Sequence, residues 1–102
     1  MTEKYRSNSQ QRILKILVHL GGHEVNGLAP GEISNSLQIS AANVTHDLQN
    51  LKYAGLVEQL PDSNRYRLTP RIPQIAVAML NGISRAEGKL AETRNRFTKQ
   101  PY

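Results

Sequence analysis

The chain has 102 residues, 38% of them hydrophobic and 21% charged, which suits one small soluble domain and excludes a second independent core. It contains no cysteine, so disulfides, thiolate zinc sites and a cysteine nucleophile are all excluded. Thirteen basic against eight acidic residues give a net charge of +5, a balance that points towards a polyanionic partner.

The mean hydropathy is −0.51. The longest apolar run, residues 75–80, is far shorter than the ~20 residues of a membrane span. The N-terminus MTEKYRSNSQQR is polar and holds no apolar signal core. These features predict a cytoplasmic protein with no membrane partner.

Residues 1–8 read as a flexible N-terminal arm. Ile13, Ile16, Leu17 and Leu20 repeat at helical spacing and predict a first helix over 9–20, stopped by Gly21-Gly22. Its other face carries Arg12, Lys15 and His19. Residues 21–28, with Asn26-Gly27 inside, predict a loop in which Val25 or Leu28 adds one short strand. Pro30 suits the first position of a second helix, with Ile33 and Leu37 inward. Ser40 is a good N-cap for a third helix that ends at Gly55, with Val44, Leu48 and Leu51 as its inward stripe. Two helices joined by about three residues, the second with a polar outer face, form a helix-turn-helix.

After Gly55 the period falls from helical to two residues. Residues 56–60 and 65–68 flank the turn chemistry of Pro61-Asp62-Ser63-Asn64, so the segment predicts a β-hairpin. Tyr66 and Leu68 share one face and Arg65 and Arg67 the other, which points two guanidiniums outward together. A basic hairpin behind a helix-turn-helix is a wing.

The last third returns to helical period. Proline is costly inside a helix, so this helix is expected to start near Pro73. Ala76, Ile83, Leu90 and Phe97 recur every seven residues, with Met79 and Ala86 at the intervening d positions. Asn81-Gly82, followed by the capping-box form Ser84-Arg85-Ala86-Glu87, predicts a kink or break near Gly82. The segment either pairs two chains or packs residues 75–80 back on their own domain. The predicted fold class is mainly α with a small β-hairpin: a winged helix-turn-helix over 9–80, with a three-helix core plus wing, followed by one or two C-terminal helices. Residues 81–98 are then the dimerisation segment, and 99–102 a frayed tail.

The third helix offers a row of side chains suited to the major groove. Ser40, Ala41, Asn43, Thr45, His46, Gln49 and Lys52 fall outside its apolar stripe. Asn43 and Gln49 match the paired hydrogen-bonding edge of adenine, Thr45 and His46 suit bases or phosphate, and Lys52 suits phosphate. Arg65 and Arg67 suit phosphates or a narrow minor groove. Lys4, Arg6 and Arg12 are candidates to extend this basic footprint.

From about Ser9 to Met79 the chain resembles the winged helix-turn-helix domain of the IclR type of bacterial transcription factor. The resemblance rests on Gln11-Arg12-Ile13-Leu14-Lys15-Ile16-Leu17, Gly31-Glu32-Ile33 to Leu37, Asn43 to Leu51, Gly55-Leu56-Val57 and Arg65-Tyr66-Arg67-Leu68-Thr69-Pro70-Arg71. The last stretch, close to that family's wing exit, is the most specific. What the resemblance implies is a homodimer on double-stranded operator DNA, with residues 41–49 in the major groove and Arg65 and Arg67 on the wing. Full-length members carry an effector-binding domain where this chain has a basic helical segment, so no small-molecule effector is expected. Gln38 stands where that family's turn commonly has glycine, and Ser34 where it commonly has alanine.

Convergent catalytic chemistry is not legible. His19 and His23 are four apart but separated by two glycines, His46-Asp47 are adjacent on a helix and point apart, and no phosphate-loop glycine pattern occurs. No enzyme activity, metal or cofactor is predicted. The rival to DNA binding is a winged-helix module for protein assembly, which would show apolar side chains on the outer face of the third helix. Residues 1–60 carry five basic and five acidic side chains, and residues 61–102 carry eight and three. The whole excess of positive charge therefore lies in the wing and the C-terminal segment.

Overall fold

Each helix of the N-terminal unit begins where the sequence supplies a cap. In the computed structural model, which describes residues 2–101, Ser7 precedes α1 (Asn8–His19) and its hydroxyl accepts the Gln10 N–H at 3.3 Å. Helix α2 (Pro30–Leu37) opens on a proline whose missing donor would be unpaired there in any case. Glu32 reaches back to accept the Ala29 N–H at 2.8 Å. Helix α3 (Ala41–Tyr53) is capped by Ser40, whose hydroxyl accepts the Asn43 N–H at 3.2 Å. It ends in a Schellman turn: Gly55 adopts φ +80° and the Leu56 N–H reaches the Leu51 carbonyl at 3.0 Å.

The turn between α2 and α3 uses both residues that depart from the resembled family. Gln38 takes the left-handed conformation, φ 57° and ψ 47°, which glycine would adopt without steric cost. Its side-chain amide donates to the Asn35 carbonyl at 2.8 Å. The Ser34 hydroxyl donates to the Ile39 carbonyl at 2.5 Å, a bond alanine cannot make. Side-chain hydrogen bonds thus hold a turn that glycine and alanine would form by backbone alone.

The wing is a two-stranded antiparallel sheet of β1 (Val57–Gln59) and β2 (Tyr66–Leu68), with Val57 opposite Leu68 and Glu58 opposite Arg67. Leu28, and not Val25, supplies the extra strand-like contact. It exchanges both backbone hydrogen bonds with Tyr66 at 2.8 Å. Ile16, Leu20, Leu28, Ile33, Val44, Leu48, Leu51, Val57 and Tyr66 form one buried cluster; of the predicted inward stripes it takes all of that of α3, whereas Ile13 and Leu17 of α1 and Leu37 of α2 pack against it half-buried. Burying each such side chain stabilises the fold by roughly 1.5–3 kcal/mol.

The chain divides into two compact units, Met1–Arg71 and Ile72–Tyr102. Two expectations for the C-terminal segment are corrected. Helix α4 runs unbroken over Arg71–Thr98, so it starts two residues before Pro73. The ring falls in the first turn, where its missing donor removes no helical bond. No break occurs at Gly82, and Ser84 to Glu87 lie inside the helix without starting a new one. The boundary expected between residues 80 and 81 therefore falls within one helix. No residue of α4 is buried. Thr2–Tyr5, in the segment expected as a flexible arm, form a short 3-10 turn. Met1 of that arm and Tyr102 of the expected frayed tail lie outside the described residues.

Candidate nucleic-acid interface

The buried side of α3 fixes which of its residues face outward. Val44, Leu48 and Leu51 enter the core, and Asp47 joins them at 2% exposure. That leaves Ser40, Ala41, Asn43, Thr45, His46, Gln49 and Lys52 all exposed, on one continuous surface of the helix and its cap.

Asp47 is the residue whose role the sequence did not disclose. Its carboxylate takes two hydrogen bonds from Arg12 of α1, Nε at 2.5 Å and Nη2 at 2.8 Å. Burial pushes this carboxyl up, but the hydrogen bonds and charge of Arg12, with a smaller contribution from His46, outweigh it and hold it below the ordinary value. Arg12 therefore orients α3 against α1 and is withdrawn from the basic footprint. Lys52, on the same helix as Asp47, has no carboxylate partner among the described residues. The outer face of α3 is thus more positive than its sequence sum.

His46 and Asp47 lie closer than neighbours on a helix were expected to, with Nδ1 at 3.5 Å from Oδ1. His46 remains 70% exposed in its side chain. The Asn50 amide donates to the His46 carbonyl at 3.0 Å. Gln49 Nε2 sits 3.4 Å from the hydroxyl of Tyr66, which links the outer row of α3 to the wing.

The wing arginines do not project together. Arg65 Nη1 pairs with Glu32 at 3.0 Å, while Nε and Nη2 donate to the Asn26 and Gly27 carbonyls at 2.8 and 3.0 Å. All three of its nitrogens are engaged at the foot of the wing. The backbone hydrogen bond from Ala29, reinforced by Arg65, holds the Glu32 carboxyl below its ordinary range. Arg67 pairs instead with its cross-strand neighbour Glu58 at 2.7 Å. Arg71 Nη1 lies 3.4 Å from the Ala54 carbonyl, at the C-terminus of α3. The rings of His19 and His23 are tilted by 42° with centroids 6.2 Å apart, and no group of three or more metal-ligating side chains occurs among the described residues. No helix of the described residues is long and apolar enough to cross a membrane.

Sequence misses of a second kind are exposed apolar groups. Tyr53, at the end of α3, is 95% exposed. Leu14 and Val18 line a shallow groove on the outer side of α1 together with Leu37.

No protein-family model matches the chain, and no curated protein sequence does. Solved structures do. An IclR family transcriptional regulator from Brucella abortus is similar at a TM-score of 0.66 and 24% identity, over 76% of this chain and 29% of that one. This chain therefore spans less than a third of that regulator's length. The Zalpha domain of Cyprinid herpesvirus 3 ORF112, in a structure on its binding to Z-DNA, matches at 0.55 and 27% identity, over 62% of this chain and all of that one. A variant of MepR from S. aureus bound to an oligodeoxyribonucleotide matches at 0.53 and 22% identity, over 89% of this chain and 67% of that one. The three-helix core, the hairpin and these likenesses make this a winged-helix fold.

Proposed function

We propose that the chain is a sequence-specific double-stranded DNA-binding transcriptional regulator of the IclR-like kind, a repressor acting as a homodimer. The observation that carries this reading is the outer face of α3. A helix locked by four buried residues presents a row of hydrogen-bonding side chains and an uncompensated lysine, with Tyr53 at its end the single large exposed hydrophobic side chain, where an assembly module would present an apolar patch. The DNA named for the Zalpha and MepR structures supports it.

In this reading α3 lies in the major groove. Asn43 and Gln49 make paired hydrogen bonds to adenine, Ala41 packs on a thymine methyl, and Thr45 and His46 reach bases or phosphate. Ser40, at the cap, and Lys52, in the last turn, hold phosphates. Arg67 serves the wing contact to the backbone, exchanging Glu58 for phosphate, while Arg65 positions the wing on α2. Two chains associate through Ala76, Met79, Ile83, Leu90 and Phe97 of α4, which sets the recognition helices roughly 34 Å apart or a multiple of it. The regulator works in the cytoplasm, on the nucleoid, and needs no cofactor.

Selection of bound sequences from a random duplex pool tests this directly, with a recovered palindromic operator as the expected result. Contact with about four phosphates per chain gives log K a slope near −7 against log salt. Absence of binding to any duplex, or binding indifferent to salt, favours the second reading. In that reading the protein is an assembly module whose contact surface is the apolar groove of Leu14, Val18 and Leu37 on α1 and α2.

A further inference from the structure

Beyond Arg71, its first residue, helix α4 carries most of its apolar side chains in its first half and all its charges in its second. Residues 72–84 hold no charged side chain, whereas residues 85–99 hold Arg85, Lys89, Arg94, Arg96 and Lys99 against only Glu87 and Glu92. Ile75, Val77, Met79, Leu80 and Ile83 in the first half are all more than half exposed, as are Leu90 and Phe97 in the second. A helix of 28 residues with none buried has no stable place in water as a lone element, because its stability comes mainly from packing an apolar face.

We infer that the partner of α4 is the α4 of a second copy, and that the two helices run antiparallel. The inference rests on the proposed pairing of chains through this helix and adds its direction. Taking Ala76, Ile83, Leu90 and Phe97 as a positions makes Ile72, Met79, Ala86 and Thr93 the d positions. Antiparallel pairing then layers Leu90 on Met79, Ile83 on Ala86, Ala76 on Thr93 and Phe97 on Ile72. In the two central layers a large side chain meets a small or flexible one, and every a position finds a d position. Beside the seam, Glu87 lies along the partner helix near its Leu80, and Arg96 near its Ile75. Their stems cover two exposed apolar residues while their charges reach water.

Parallel pairing joins Ile75 to Leu80, but it sets Lys89 beside Arg94 twice and lays two segments of net charge +3 along one another. Like charges at such flanking positions oppose pairing. In the antiparallel arrangement each basic half lies on a half whose one charge is Arg71 at its first residue, so charge favours this direction over the parallel one.

The absence of cysteine makes the full chain suited to a crosslinking test. Met79→Cys and Leu90→Cys are made as separate single variants, and sedimentation establishes the association state of each and of the natural chain. In the antiparallel dimer each substituted position lies eleven residues, about 16 Å along the axis, from its own copy, beyond the reach of a disulfide. Neither variant alone should then crosslink under mild oxidation, while an equilibrated mixture should yield the mixed disulfide dimer. Self-crosslinking of each single variant overturns the antiparallel direction and leaves the pairing of chains standing. A natural chain that sediments as a monomer overturns both.

Should a cysteine in the seam prevent association, a nitroxide on Gln74→Cys, outside the seam, reads the same geometry. Its pair lies about 31 Å apart along the axis if antiparallel, and side by side if parallel. A short distance overturns the inference.

Discussion

Arg12 and Asp47, 35 residues apart in the chain, form a two-pronged ion pair that ties α1 to α3 on the side of α3 opposite its outer row. The two ends differ in surroundings, since the Asp47 side chain is 3% exposed and that of Arg12 is 22% exposed. Removing the arginine strands a carboxylate in the core, whereas removing the carboxylate leaves a guanidinium that can reach water. Asp47→Asn is expected to cost about 1.5–3 kcal/mol, and Arg12→Ala to cost more. Urea midpoints of the two variants check the order.

The same pair dictates a pH dependence. The folded-state pKa of Asp47 lies below its ordinary 3.8 because Arg12 outweighs the effect of burial. The unfolded chain therefore binds a proton more readily than the folded one. The pair's contribution is present in full above the unfolded value and is lost as pH falls through the folded one. Glu32, also held below its ordinary 4.5, acts in the same direction. The stability gap between the natural chain and Asp47→Asn should narrow as pH drops below about 4 and stay constant above neutrality. A gap independent of pH down to 2 would contradict this assignment.

Glycines at positive φ separate by what surrounds them. At Gly55 an added Cβ would lie 3.3 Å from a mobile arginine nitrogen, but at Gly27 it would lie 2.6 Å from the Tyr66 carbonyl oxygen. Both pay the left-handed strain of about 1–2 kcal/mol on replacement by alanine. Gly27→Ala must also shift the Tyr66 carbonyl, which accepts the Leu28 N–H. Its thermal midpoint is expected to fall further, by roughly 10 °C or more, with about 4–8 °C for each kcal/mol in a domain of this size.

Arg65 and Arg67 are adjacent in the wing pattern and should behave differently. Arg65→Ala removes three interactions that anchor the wing to α2 and the preceding loop, at a cost of about 1–2 kcal/mol. Arg67→Ala removes a half-exposed surface pair with Glu58, worth less than about 1 kcal/mol. On duplex DNA, Arg67→Ala should lower the salt slope by about 1 per chain without altering the preferred sequence. Calorimetry and salt titration of the two single variants separate anchoring from contact.

The core and the caps were legible because they depend on local spacing. Ser40, Pro30, Gly55 and the stripe of Val44, Leu48 and Leu51 each act within a turn or two of the chain. Arg12–Asp47 and Arg65–Glu32 were not legible, because nothing in a sequence says which of many charges meet across 35 or 33 residues. The Gly82 break failed for a related reason. Glycine is only about 1 kcal/mol worse than alanine within a helix, so a local stop signal of that size yields to the surrounding helical residues. The outer row of α3 was legible as a face, while the chemistry along it was altered by Asp47 turning inward and by Gln49 meeting the wing.

Gln49 and Tyr66 yield the most specific expectation. A glutamine on a helix surface has several rotamers, and holding its amide 3.4 Å from the hydroxyl of a tyrosine whose side chain is buried narrows them. In the proposed complex this sets the direction from which the amide meets a base edge. Tyr66→Phe keeps the ring and most of its burial, so it should cost under about 1.5 kcal/mol of stability. Its effect on DNA should be confined to the base step facing Gln49, with discrimination there reduced several-fold and the salt slope unchanged. Gln49→Ala should remove the same discrimination, and adding Tyr66→Phe to it should change nothing further, since the two act through one contact. Sequence selection with the two single variants and the double variant decides it. Independent, additive losses in the double variant would show that the hydroxyl does not act through Gln49.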